Sequence, residues 1–179
     1  MIGNPWFSIW FHPKATIRKI VEENPNRSLW LLATIYGFSS LLNLAQSISI
    51  GETAGIFFIF ILALLIAPAW GWIVFSFWSC VIHWSGKLLK GRGEFKAIRA
   101  AYSWSCVPLI FNIALWFVLV TILGKQIFFS TPDLYFTQAQ VTFLFFILIA
   151  KVVLAVWSLV IYLNTLAEPN VNRYFPQYG

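Results

Sequence analysis

Charged residues are scarce in this sequence, and their scarcity determines the solvent in which the chain can fold. Only 10% of its 179 residues are charged, whereas 60% are hydrophobic and 19% aromatic. Ordinary soluble domains carry roughly 25% charged residues. A soluble fold of this length could not bury so much apolar surface, so we expect lipid to surround it. The composition predicts a single membrane domain over residues 1–179.

Residues that could build a metal or catalytic site are also few. Cys80 and Cys106 lie inside apolar runs without a CxxC or Cys/His spacing, and the histidines, His12 and His83, are far apart in sequence. No HExxH, GxSxG or P-loop motif occurs in the sequence. We therefore predict a non-enzymatic protein with no catalytic residues, no metal site and no cofactor.

Four long apolar runs predict a multispan transmembrane helix bundle, with spans at about residues 28–48, 53–85, 97–123 and 141–166. About 20 apolar residues cross a hydrocarbon core of ~30 Å, so the second run exceeds one crossing. It also contains Pro68 and Gly71, which could kink one tilted helix or separate two short ones. The predicted fold class is all-α with four spans, and a fifth span or a re-entrant break stays open.

The positions of the basic residues indicate whether residues 53–85 cross the membrane once or twice. If residues 53–85 cross once, nine bases lie on one side of the membrane and only Lys125 lies in the loops opposite. The nine are Lys14, Arg18, Lys19, Arg27, Lys87, Lys90, Arg92, Lys96 and Arg99. This distribution favours four spans with both termini in the cytoplasm. It also accounts for the net charge of +6 without a nucleic-acid partner.

The segment before the first span, residues 1–27, has the pattern of a short interfacial amphipathic helix. Pro13 suits a first helical turn, and Pro25 ends the helix. Its apolar face consists of Ile17, Ile20 and Val21. We expect this helix to lie on the inner membrane surface, with Trp6 and Trp10 as interfacial anchors.

Polar residues recur at helical spacing within the apolar runs, which gives each predicted span one polar face. The candidate intramembrane polar site on these faces consists of Lys151, Ser158, Tyr162, Asn112, Tyr102 and Asn43. Lys151 differs from the others because it stands near the middle of ILIAKVVLAVW, residues 147–157. A central lysine costs roughly 2.5 to 3.5 kcal/mol on insertion scales, which makes it a candidate functional residue.

No carboxylate in the sequence lies centrally in a predicted span, so Lys151 has no evident intramembrane counter-ion. The polar faces offer Asn43, Asn112 and Tyr102 as neutral partners, without a ranking among them. Two interpretations stay open. Lys151 binds an anionic ligand, or it is a buried lysine that amides, hydroxyls and carbonyls satisfy and that orders helix packing.

The stretch LLKGRGEFKAIRAAYSWSCVPLI, residues 88–110, carries a recognisable pattern. A basic turn with two glycines precedes an aromatic residue, a short basic helix and an aromatic-Ser-x-x-Pro entry into the membrane. The positions are Gly91, Gly93, Phe95, Arg99, Trp104, Ser105 and Pro108. Together with NPWFSIWFHPKATIRKI at 4–20 and LAE at 166–168, this pattern resembles the bacterial branch of the YIP family, the Ypt/Rab-interacting-protein-like membrane domain.

The resemblance implies an all-helical protein of four or five spans in the bacterial cytoplasmic (inner) membrane. In eukaryotic relatives it implies a role in vesicle traffic and binding of prenylated small GTPases. We do not carry GTPase binding over to this chain. It lacks the long polar N-terminal region of that group, and Ser103-Trp104 stands where a Gly-Tyr pair is typical before the proline.

Two functions are compatible with these observations. The first is a non-enzymatic scaffold or adaptor, which engages lipid or protein partners with its inner-surface helix and the basic loop at residues 87–99. The alternative is a small-solute or lipid permease, as a homo-oligomer, whose polar faces line an internal path that Lys151 faces. Both place the chain in contact with the lipid bilayer.

Overall fold

The computed structural model describes residues 4–88, 94–131 and 136–168 of the chain. These ranges contain seven α-helices and no strand. In chain order the helices are α1 (Pro5–Phe11), α2 (Pro13–Glu23), α3 (Leu29–Ser47), α4 (Ile56–Leu88), α5 (Phe95–Ser105), α6 (Phe111–Leu123) and α7 (Gln138–Leu166). The predicted all-α fold class is confirmed.

Four helical segments are long and apolar enough to cross a membrane. They are Leu29–Ser47, Ile56–Leu88, Val107–Phe128 and Gln138–Leu166. The second segment is one continuous helix that contains Pro68, so the long apolar run forms a single element rather than two short helices. This agrees with the predicted bundle of four spans.

The third segment begins later in the chain than the expected boundary at residue 97. Helix α5 ends at Ser105, and a 3-10 turn over Val107–Ile110 connects it to α6. Pro108 lies in that turn, where the missing N–H of proline and its fixed φ favour a change of direction. The basic helix α5 is therefore an element separate from the span that follows it.

Helices α3 and α4 form a close antiparallel pair that small residues make possible. A Cβ atom added at Gly37 would collide with the carbonyl oxygen of Ala67, and one added at Gly71 with that of Ala33. Association of helices in lipid depends on van der Waals packing, which small residues improve by letting two backbones approach. Gly37 and Gly71 therefore set the distance between these two spans.

At the end of the bundle that contains α1 and the end of α7, which we call the terminal end, α1, α2 and α5 pack with the ends of the spans. Asn4 caps α1, since its Oδ1 accepts a hydrogen bond from the backbone N–H of Trp6 at 3.2 Å. Pro13 opens α2, as predicted. Ile17 and Ile20, on the apolar face of α2, are almost fully buried in a cluster with residues of α3, α4, α5 and α7. This face thus contacts protein rather than lipid.

The opposite end of the bundle, the loop end, has its own hydrophobic cluster. Residues from α3, α4, α6 and α7 pack there against Ile127 and Phe128 of a 3-10 turn over Gly124–Phe128. Glu52, which follows α3, accepts hydrogen bonds from the backbone N–H of Ser130 at 2.9 Å and from its hydroxyl. These bonds link the two connections at this end. Between the two clusters lies the middle of the bundle.

Candidate functional site

A polar cleft opens between α3, α6 and α7 in the middle of the bundle. Its volume is about 260 Å³. The lining residues are Tyr36, Ser39, Ser40 and Asn43 of α3, Leu109 and Asn112 near the start of α6, and Lys151, Leu154 and Ala155 of α7. The cleft exists because α7 packs on α5 and α6 and makes few contacts with α3.

Lys151 projects into this cleft and has two neutral neighbours. Its Nζ lies 4.3 Å from the centroid of the Trp116 ring, which is a close cation–π contact. The same atom is 3.5 Å from Oδ1 of Asn43, at the long limit of a hydrogen bond. None of the residues that line the cleft is a carboxylate. The lysine therefore has partial electrostatic compensation and no counter-ion among the lining side chains.

Asn112 forms the floor of the cleft and is only half satisfied. Its Nδ2 donates a hydrogen bond to Oγ of Ser39 at 2.7 Å, across the α3–α6 contact. Its Oδ1 is buried and has no hydrogen-bond partner within the described structure. A buried amide oxygen without a donor costs roughly 1 to 3 kcal/mol. The cleft is thus lined by a cation, amides and hydroxyls.

The structure divides the six predicted polar residues into two groups. Lys151, Asn43 and Asn112 meet in the cleft. Tyr102 and Tyr162 instead pack edge to face, with their ring centroids 5.6 Å apart, beside the cluster of the terminal end. Ser158 donates a hydrogen bond of 2.8 Å to the carbonyl oxygen of Ser105, which joins α7 to the end of α5.

Several residues at or beside the cleft were not among the predicted site residues, and Trp116 and Ser40 are two that form specific contacts. Trp116 reads as one more apolar residue in its run, yet it stands four positions after Asn112, on the same helical face. That spacing was the available signal. Ser40 accepts a hydrogen bond from Nε1 of Trp70 at 3.2 Å, a contact between α3 and α4 that no pattern in either helix indicates.

The family-like motif lies at the terminal end, where its residues hold neighbouring elements together. Nη2 of Arg99 donates a 2.9 Å hydrogen bond to Oδ1 of Asn26, and its guanidinium lies 5.6 Å from the Phe95 ring. Trp104 is fully buried with its ring 5.1 Å from that of Trp6. Gly91 and Gly93 lie outside the described residues.

An ion pair fastens the end of α7 to α2, and no sequence pattern predicted it. Nε of Arg18 lies 2.7 Å from Oε1 of Glu168, whose side chain is 2% exposed whereas that of Arg18 is 54% exposed. The hydrogen bond to Glu168, and then its negative charge, raise the pKa of Arg18 above its ordinary value. The two residues are 150 positions apart, so only the fold brings them together.

Within residues 4–88, 94–131 and 136–168, no three His, Cys, Asp or Glu side chains form a group that could hold a metal ion. The chain matches the family model of the Yip1 domain over residues 7–172, which is nearly its whole length. Comparison with curated proteins and with solved structures gives no significant match. With four helices long and apolar enough to cross a membrane, the chain is an integral membrane protein, and it belongs to the Yip1 family.

Proposed function

We propose that this Yip1-family protein is a non-enzymatic scaffold or adaptor, which presents the terminal end of its bundle to anionic lipid or acidic protein surfaces. The observation that carries this proposal is the burial of the N-terminal helices in the core of the terminal end. Helices α1, α2 and α5 pack against the ends of the spans and form one folded unit with them. A preformed surface loses less conformational entropy on binding than a mobile one.

The outer surface of this unit is basic. Lys14, Lys87 and Lys96 are exposed and form no ion pair with another described residue, and we call these three side chains the basic platform. By contrast, the cations of Arg18, Lys19 and Arg27 are engaged with Glu168 or Glu23. The platform cations are thus available for a partner.

The platform also supports an orientation. Basic loops are retained on the cytoplasmic side of membrane proteins. On that basis we place the terminal end, and with it both termini, at the cytoplasmic face of a bacterial inner membrane. The leaflet there is anionic and attracts each nearby Lys or Arg with about 1 kcal/mol. The proposed partners are therefore anionic headgroups or an acidic protein surface.

A vesicle-binding assay tests the platform. The full chain, held in nanodiscs of neutral lipid, is mixed with vesicles rich in phosphatidylglycerol, and the bound fraction is measured by flotation. The double variant Lys14→Gln/Lys96→Gln removes two platform charges. We expect it to bind roughly 30-fold more weakly, which corresponds to about 2 kcal/mol. Raising the salt concentration should weaken the wild-type chain in the same direction.

The matched control is Lys125→Gln, which removes one charge from the loop end of the bundle. It should bind anionic vesicles like the wild-type chain. If the double variant and the control bind equally well, the basic platform is not the docking surface and the scaffold proposal loses its main support.

The permease alternative has one observation in its favour, the polar cleft that holds Lys151. Within the residues that the structure describes, a single chain offers it no continuous path, because the clusters of the terminal and loop ends lie beyond the cleft on either side. Ser158, further along the polar face of α7, is 9% exposed and bonded to Ser105. A cysteine introduced there, in a chain without Cys80 and Cys106, should resist membrane-impermeant thiol reagents; rapid labelling would favour the permease.

A further inference from the structure

We propose that the cleft between α3, α6 and α7 is a binding site for the carboxyl group of a lipophilic carboxylic acid, of the fatty-acid class, which enters from the lipid and pairs with Lys151. This site is separate from the basic platform. The two can therefore succeed or fail independently.

The position of the Lys151 ammonium in the bundle favours an anionic ligand. Lys151 stands 13 residues after the start of α7 and 15 before its end, so its ammonium lies near mid-depth if α7 crosses the bilayer. A charge at that depth is costly unless it is paired. The Trp116 ring and the distant Asn43 oxygen compensate it only in part. One negative charge would complete the site.

The hydrogen-bond donors of the cleft also favour a carboxylate. The Lys151 ammonium has three N–H groups and within the described structure uses only one of them, in a weak hydrogen bond to Asn43. The Asn43 amide adds two N–H donors at the rim. A carboxylate, with two acceptor oxygens, fits the Lys151 and Asn43 donors together. The Lys151 and Asn43 donors thus favour an oxyanion over an alcohol or an amine, and the buried Asn112 Oδ1 is an acceptor that a carboxylate leaves unpaired.

The cleft is accessible to a ligand from the surrounding lipid. Asn43 and Ala155 belong to the cleft lining and are exposed, and the clusters of the terminal and loop ends lie beyond the cleft on either side, so we infer that the cleft opens sideways toward lipid. Beyond its mouth, Val152 and Val156 of α7 present apolar surface of the kind that faces lipid chains. Only 11% of the most apolar stretch of α7 is buried within the structure. A ligand would therefore arrive through the hydrocarbon.

Depth and route select the class of ligand. A phosphodiester headgroup stays ionised and would carry its full charge through hydrocarbon to reach the cleft. A carboxylic acid can make the same passage in its neutral form. The cleft volume of about 260 Å³ equals the share of roughly nine water molecules in liquid water. It accommodates a carboxyl group and the first methylenes, and leaves the remaining chain in the lipid.

Loading the site needs no ion to cross the membrane. Where the Lys151 ammonium has first released a proton to water, the O–H bond of the neutral acid breaks and its proton joins the amine to form the ammonium again. The acid becomes a carboxylate beside it. The same atoms are present before and after, and the pair carries no net charge. The protein would then hold the acid as an ion pair inside a low-dielectric site, where Coulomb attraction is strong.

Native mass spectrometry of the full chain in nanodiscs tests this assignment. Oleic acid is the probe, oleyl alcohol is the matched ligand without a charge, and acetate and phosphatidylglycerol represent the soluble and headgroup sources of an oxyanion. We expect one oleic acid per chain, retained at least tenfold more strongly than oleyl alcohol. Lys151→Met should lose this retention at least tenfold, and Lys125→Met should keep it.

A second variant protects the test against a misfolded Lys151→Met chain. Asn43→Ala removes one exposed donor at the rim and leaves the lysine in place, so it should fold and lose retention several-fold. Equal binding of oleic acid by wild type, Lys151→Met and Asn43→Ala would overturn the proposal. It would also be overturned if phosphatidylglycerol or acetate occupied the cleft in preference to oleic acid.

Discussion

The two sides of α3 are built on opposite principles. On the side toward α4, Gly37 and Gly71 bring the two backbones into direct contact. On the side toward α7, polar side chains surround an open cleft of about 260 Å³. The first side can close where the facing residues are small, at Ala33, Gly37, Ala67 and Gly71. The second cannot close without burying the Lys151 ammonium against a helix that offers no counter-ion.

The difference teaches that polarity in a membrane bundle can keep helices apart as effectively as small residues draw them together. A seam of small residues gains dispersion contacts as the helices approach. A cluster of a lysine and amides gains nothing from closing, because every group that loses space must find a partner.

The largest effect should come from Gly71→Val. The new Cβ would strike the carbonyl oxygen of Ala33, which belongs to the backbone and cannot rotate away. We expect a loss of about 3 kcal/mol in the free energy of unfolding, measured by denaturant titration of the chain in detergent micelles. Gly55→Ala is the control, since a Cβ at Gly55 meets no atom within 4 Å. Equal stability of the two variants would mean that α3 and α4 are not in backbone contact.

The next effect should come from Ser158→Ala, which tests how α7 is held while its side toward α3 stays open. The substitution removes the donor that satisfies the Ser105 carbonyl. The expected loss in unfolding free energy is about 1.5 kcal/mol. Thr142→Ala on the same helix removes a hydroxyl bonded only to its own helix, at Gln138, and should change stability little. Matching losses would show that the α5–α7 bond contributes nothing specific.

On the open side, Lys151→Met should make the ligand-free chain more stable. The lysine costs more at mid-depth than its Trp116 and Asn43 contacts return, and we expect a gain of roughly 1 kcal/mol in unfolding free energy. The measurement is the same denaturant titration in detergent micelles, with chain purified free of fatty acid and with Lys125→Met as the control. A loss of stability in Lys151→Met alone would make this lysine a packing residue of the native bundle.

The smallest effect concerns pH at the loop end. Hydrogen bonds from the hydroxyl and the backbone N–H of Ser130 lower the pKa of Glu52 below its ordinary value of 4.5. Their stabilisation is therefore complete above pH 4.5 and is lost as pH falls through the lowered pKa. Amide hydrogen exchange over residues 124–130 should accelerate in that acid range. Glu52→Gln should exchange faster than wild type at neutral pH, with no further change specific to this acid range.

Much of the fold follows from local patterns. The four apolar runs and Pro13 at the start of α2 are visible in the sequence, because length, periodicity and proline placement act within a few residues. The family was indicated separately, by the resemblance of the motif at residues 88–110, and the family model confirms it. The extent of α5 is not visible in this way. Its residues continue the apolar run, and only the 3-10 turn at Pro108 separates it from α6.

The candidate site was predictable in its members more than in its arrangement. Helical spacing placed Asn43, Asn112 and Lys151 on inward faces, and the structure brings these three together. It could not show that Ser158 and Tyr162, on the same face of α7, meet α5 instead. That outcome depends on how far α7 leans away from α3, which residues on both helices decide jointly. The Arg18–Glu168 pair is hidden for the same reason.

The unequal lengths of the spans have a consequence for the membrane itself. Helix α3, with 19 residues, is about 28 Å long, whereas the 33 residues of α4 extend about 50 Å. Because the two are locked together at Gly37 and Gly71, they cannot adjust their lengths or tilts independently. A thicker bilayer would leave the ends of α3 short while α4 still reached across, at a cost of a fraction of a kcal/mol per ångström. The stability of the pair therefore depends on bilayer thickness, and α3 sets the thickness at which hydrophobic mismatch is smallest.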